Sequence, residues 1–177
     1  LTAVTLQSIV EHSSAKHNYD VIIAERYVPD QYRAQLGQIV GDRPNFSLRF
    51  LSLGDGLDHH FAGDNQDLLY YYKLIPDILK QYDRVLCLDP SMLAQCDVAE
   101  LFAQDMGGKP LAAAQDVTIQ GMLRMVDTQN TRHYLSQVLC LKDIFQYVST
   151  SVLLMDLAQL RKLHRWNELQ RIAEAEH

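Results

Sequence analysis

Two periodicities alternate along the chain. Over Thr2–His12 the apolar residues Val4, Leu6, Ile9 and Val10 recur at helical spacing, which predicts a helix with one buried side. Tyr19–Glu25 (YDVIIAE) follows as a strand. Pro29 stands where a helix can begin, because the first helical position has no use for its missing N–H. It leads into a helix over Asp30–Val40. Gly41-Asp42-Arg43-Pro44 is turn chemistry, and Ser47–Leu53 then alternates as a half-buried strand. Gly54–Asn65 reads as a polar surface loop. Gln66–Tyr82 has a helical period that Pro76 kinks or restarts.

The second half repeats the alternation. Arg84–Leu88 is a short apolar run, the pattern of a strand covered on both faces. Asp97-Val98-Ala99-Glu100 resembles a capping box and predicts a helix to about Gln104. Leu111–Gln115 is the next strand, Gly121–Lys142 is mixed with a helix from about Thr131, and Tyr147–Met155 is β-branched and apolar, hence strand. Asp156 can cap a last helix running toward Glu174. Strands alternating with helices predict an α/β fold with a mostly parallel sheet and helices on both faces.

Composition narrows this picture. The 177 residues fit one domain spanning 1–177, long enough to bury about 70% of its unfolded surface without disulfides or metal. A net charge of −6 with no basic block excludes a nucleic-acid binder driven by backbone charge. An anionic ligand would need a local pocket or a bound cation. Cys87 and Cys140 stand in apolar surroundings and read as buried free thiols, which suits a reducing, cytoplasmic setting. No apolar run approaches the roughly 20 residues of a membrane span.

Ligands of open parallel sheets bind beyond the carboxyl ends of the strands. Asp89, Asp116 and Asp156 each follow a strand and so belong at that end, although Asp156 is better explained as a helix cap. Asp89 is the most informative of the three. A carboxylate leaving an apolar run is partly desolvated and favours a cation or a hydrogen-bonding partner, whereas Asp89-Pro90-Ser91 is also ordinary turn chemistry. Other signals fall away. His59-His60 reads as a loop pair, Gly107-Gly108-Lys109-Pro110 as a turn without phosphate-loop spacing, and Tyr70-Tyr71-Tyr72 points three ways around a helix. No Gly-x-Ser-x-Gly elbow and no dinucleotide glycine fingerprint occurs.

Several pieces in consistent order resemble glycosyltransferase family 8. They are Ala3–Ile9, then Tyr71-Tyr72-Lys73-Leu74-Ile75-Pro76, then Arg84–Asp89, then Asp97-Val98-Ala99-Glu100-Leu101, then Leu111–Asp116 and Tyr147–Arg161. The resemblance implies a GT-A type nucleotide-sugar fold and retaining transfer of a sugar, usually from a UDP-sugar, to a glycan, protein or lipid acceptor. It also implies a divalent ion, typically manganese, held by an Asp-x-Asp pair and a later His. Carried over by position, Asp89 and Ser91 fall on the metal pair, and Lys73 faces the donor diphosphate. Asp116 and Ser149 fall on positions near the reacting sugars. The family's first strand would precede Leu1, and its Asp-Gln-Asp segment and metal-binding His would follow His177.

Three residues depart from the family pattern. Ser91 stands where the second Asp belongs, and Ser149 and Ser151 where Asn or Gln and then Gly are usual. A second reading therefore stays open, a non-catalytic relative that binds a nucleotide sugar or serves in assembly. A sugar nucleotidyltransferase is a third, but it would call for a glycine-rich loop that the chain does not display.

Overall fold

The computed structural model describes residues 1–25, 27–52, 75–76, 78–125 and 129–163. Its first layers follow from alternation in two strands. β1 (Tyr19–Glu25) and β2 (Phe46–Ser52) run parallel, with Tyr19 opposite Phe46 and Glu25 opposite Ser52. Val21 and Ile23 of β1, with Phe46, Leu48 and Phe50 of β2, pack against Leu6, Val10, Leu36 and Val40. Those four belong to α1 (Thr2–His12) and α2 (Asp30–Val40), each contributing an i, i+4 pair. The other face carries Ile22 and Leu51, which pack on a cluster of Leu79, Leu153, Met155, Leu157 and Leu160. Period 2 in the strands thus serves two cores.

The inward side of α1 differs from the pattern-based expectation. Val4 is 60% exposed, while the hydroxyl residues Thr5 and Ser8 are buried at 8% and 4%. Both find partners on the loop that leaves β3 (Arg84–Leu88), which removes the cost of burying them.

β5 (Val148–Asp156) lies between β3 and β4 (Leu111–Gln115) and is antiparallel to both. The α/β class stands. A mostly parallel sheet holds for β1–β2 but is corrected at β5, with two antiparallel pairings against one parallel among the described residues. The reason lies in the connection. α4 (Val117–Met122), α5 (Gln129–His133), a π turn (Tyr134–Val138) and a 3₁₀ turn (Ile144–Gln146) follow β4. The chain then re-enters the sheet at the end where it left, and Asp116 N–H donates to Tyr147 O at 3.1 Å. A return without a crossover makes an antiparallel pair.

Two later helix starts follow capping chemistry. Asp97 caps α3 (Val98–Phe102) by accepting from Ala99 N–H, and Asp156 caps α6 (Leu157–Lys162) by accepting from Gln159 N–H at 2.8 Å. Gly107 and Gly108 adopt φ of 56° and 70°, so that segment is a turn and glycine is required there. Of the predicted helix over Gln66–Tyr82 only the end is described. Ile75, Pro76 and Ile78 are helical, and the rest, with His59, His60 and Tyr70–Lys73, lies outside the described residues. Among the described residues no helix is long and apolar enough to cross a membrane.

Asp97 also ties the loop after β3 to β1. It accepts from Tyr19 Oη at 2.8 Å and from Ser14 N–H at 3.1 Å. Burial disfavours its charge, but Ala99 N–H, the Tyr19 hydroxyl, Ser14 N–H and the nearby His17 outweigh burial and hold the carboxyl below its ordinary 3.8. A depressed carboxyl contributes stability that is complete above the ordinary value and is lost as pH falls through the lowered one. Asp97→Asn, which can still cap, is therefore expected to melt lower than wild type at pH 7. The gap should close toward pH 3 in melts across that range.

Candidate functional site

The carboxyl ends of β3 and β4 and the start of β5 meet at one edge. Asp89 leaves β3 there, and its N–H donates to Ser151 O at 2.8 Å. Its side chain folds back on its own turn. Asp89 Oδ1 accepts Ser91 N–H at 2.8 Å and also the Ser91 hydroxyl. Asp89 is half-buried and Ser91 exposed. Asp-Pro-Ser is thus a turn, as its chemistry predicted, and the same turn presents the carboxylate at the ligand end of the sheet.

β5 contributes a bulge at that edge. Ala113 pairs with Leu153 and Gln115 with Val148, so Ala114 faces the whole stretch Ser149–Val152. Extra residues on one strand bend it and re-aim side chains, a device common beside active sites. The bulge is strapped by Ser151 N–H donating to Ser149 Oγ at 3.2 Å. Ser149 and Ser151 are therefore brought between Asp89 on one neighbouring strand and Asp116 on the other.

Asp116 is half-buried and caps α4, with Oδ1 accepting Ile119 N–H at 2.9 Å. Sequence reading had not foreseen α4, because Val117-Thr118-Ile119-Gln120-Gly121-Met122 is poor in strong helix formers. The cap supplies what propensity lacks. Gln120 Nε2 donates to Phe145 O at 2.5 Å and seats the helix on the segment that feeds β5. Lys73 lies outside the described residues.

Thr5 and Ser8 are functional-site neighbours that sequence reasoning missed. Thr5 Oγ1 is 2.6 Å from Pro90 O and 2.7 Å from Met92 O. Ser8 Oγ accepts Ala94 N–H at 2.9 Å. The available signal was two hydroxyls three residues apart inside an otherwise apolar helix side. Glu25, at the end of β1, was missed too. Its Oε1 pairs with Arg33 at 2.7 Å and its buried Oε2 has no hydrogen-bond partner among the described residues. Arg33 is itself held by Val28 O at 2.9 Å and lies over the Phe50 ring. This unit fixes the start of the loop after β1.

The thiols are set aside by position. Cys87 is half-buried in β3 and burial pushes its thiol up to about 12, so it is protonated and a poor nucleophile near neutrality. Cys140 is exposed with φ of 52°, against the expected burial, because it sits in the turn after the π segment. Asp89 and Ser91 by themselves do not make a complete divalent-ion site. Oδ1 of Asp89 already accepts two donors, and no group of three His, Cys, Asp or Glu side chains gathers among the described residues.

Comparisons with known proteins place this geometry. The chain superposes on the apo structure of the bifunctional glycosyltransferase WbbM with a TM-score of 0.81 at 22% identity, covering 97% of this chain and 31% of that one. An active-site mutant of LgtC gives 0.67 at 18% identity, covering 96% of this chain and 60% of that one. Galactosyltransferase LgtC in complex with donor and acceptor sugar analogs gives 0.61 at 17% identity, with the same 96% and 60%. The chain thus spans less than two thirds of these relatives. No curated protein sequence matches it significantly. The shared architecture is the GT-A fold of glycosyltransferases. The sequence model of Glycosyl transferase family 8 matches residues 1–175, and the chain belongs to that family.

Proposed function

We propose that this chain carries the donor site of a retaining glycosyltransferase that takes a sugar from a UDP-sugar and delivers it to a glycan, protein or lipid hydroxyl. In that reaction the bond from the anomeric carbon to the diphosphate oxygen breaks and a bond to the acceptor oxygen forms. UDP leaves with the electron pair, and the acceptor's proton goes to solvent or to the diphosphate. The observation that carries the reading is the gathering of Asp89, Ser149, Ser151 and Asp116 at one sheet end in a family 8 chain. Asp89 Oδ2 would accept from donor hydroxyls, Ser149 and Ser151 would hydrogen-bond sugar or phosphate oxygens, and Asp116 would face the transferred sugar. Lys73 would offset diphosphate charge. A manganese ion is part of the expectation, and it would need ligands beyond Asp89 and Ser91.

The second reading, a binder without turnover, is favoured by one observation: Ser91 spends both its N–H and its hydroxyl on Asp89. Following UDP release by the full-length protein with UDP-glucose and UDP-galactose separates the two. Release above the protein-free rate supports the enzyme, while tight binding without release across both donors and a panel of acceptors supports the binder. The metal is tested separately. Ser91→Asp adds a carboxylate to the turn and is expected to tighten manganese binding about tenfold or more by calorimetry, given several kcal/mol for a close carboxylate–cation contact. Unchanged affinity would separate the ion from this turn.

A further inference from the structure

Thr5 is a buried hydroxyl on α1, and it touches the turn that carries Asp89 and Ser91. Its Oγ1 lies 2.6 Å from Pro90 O and 2.7 Å from Met92 O, the two carbonyls that flank Ser91. One hydroxyl hydrogen is shared between two acceptors that point the same way, toward α1. The turn is held on its far side as well, by Asp89 N–H on Ser151 O at 2.8 Å, and further along by Ala94 N–H on Ser8 Oγ at 2.9 Å. With both carbonyls drawn inward, the Ser91 N–H and hydroxyl are left on the Asp89 side, where they bond its Oδ1.

We infer that Thr5 is a positioning residue for donor binding: it fixes the orientation of the Asp89–Ser91 turn, and through it the direction in which the Asp89 carboxylate is offered to a nucleoside diphosphate sugar. This rests on the donor-site reading above. A hydroxyl that only satisfied burial could bond a carbonyl of its own helix, as Ser8 Oγ does with Thr5 O at 2.8 Å. Thr5 instead reaches 85 and 87 residues along the chain.

The test uses the full-length protein with UDP-glucose and UDP-galactose as probes, and reads KM and kcat separately, with melting temperature alongside. Thr5→Val keeps the shape and removes the donor; it is expected to raise KM for the nucleotide sugar about five- to tenfold, in line with losing a hydrogen bond that orients a charged group. Thr5→Ser keeps the hydroxyl and should hold KM within about twofold of wild type. Should Thr5→Val fail to fold, Thr5→Cys carries the test, since its weaker S–H donor should raise KM about two- to threefold. A lower melting temperature or kcat with KM unchanged would overturn the inference and leave Thr5 a structural residue. If wild type neither binds nor turns over either probe, the donor-site reading fails and this inference falls with it. Normal wild-type KM with an unmoved Thr5→Val sinks the inference alone.

Discussion

Replacing Asp89 with Ala is expected to lower kcat/KM for the nucleotide sugar by about 10- to 100-fold, the range for removing a hydrogen bond to a charged group. The fold should survive, because the turn does not depend on that side chain alone. Pro90 O and Met92 O bond Thr5, and Asp89 N–H bonds Ser151 O through the backbone. What is lost is the carboxylate itself and its bonds from Ser91. UDP release kinetics with a parallel melting curve measures both sides. An unchanged kcat/KM in a well-folded variant would remove Asp89 from the site.

The largest stability effect is expected at Leu157. It opens α6 fully buried, in a cluster with Leu79, Leu153, Met155 and Leu160 against which Ile22, Leu51, Ile75 and Val85 pack. Its N–H also donates to Asp83 O at 2.8 Å, so the backbone is fixed and cannot collapse into a void. Leu157→Ala should cost about 3 kcal/mol, within the usual range for a buried Leu. That is a large share of the roughly 5–15 kcal/mol available to a domain. Leu93→Ala, at a side chain 57% exposed, should shift stability by no more than about 0.5 kcal/mol. Urea unfolding of both variants checks the contrast, and equal midpoints would contradict the assigned core.

How much of this was legible beforehand depends on the range of the signal. α1, β1, α2, β3 and β4 fall on the predicted segments because each depends on local period and punctuation. Asp97 and Asp156 were readable as caps for the same reason. Two features were not readable locally. The antiparallel direction of β5 depends on how the chain returns after β4, and α4 exists through the Asp116 cap more than through its own propensity. The site divides along the same line. Asp89 and Asp116 could be placed at strand ends from sequence, whereas Ser149 was singled out only by the family resemblance, which also gave the two carboxylates their roles. The hold of Thr5 on the Asp89 turn spans 85 residues and leaves no periodic trace. Val4 was expected inside and is outside because hydroxyls with distant partners took the inward positions.

A nucleotide sugar is expected to bind where β3, β4 and β5 meet. Mapping amide shift changes in the ¹⁵N-labelled full-length protein on adding UDP-glucose or UDP-galactose tests it most directly. Saturable shifts are expected to concentrate at Asp89, Ser91, Ser149, Ser151 and Asp116. Saturable binding that left those amides unmoved and shifted instead the Asp20–Arg49–Tyr82 cluster, at the opposite end of β1, would contradict it.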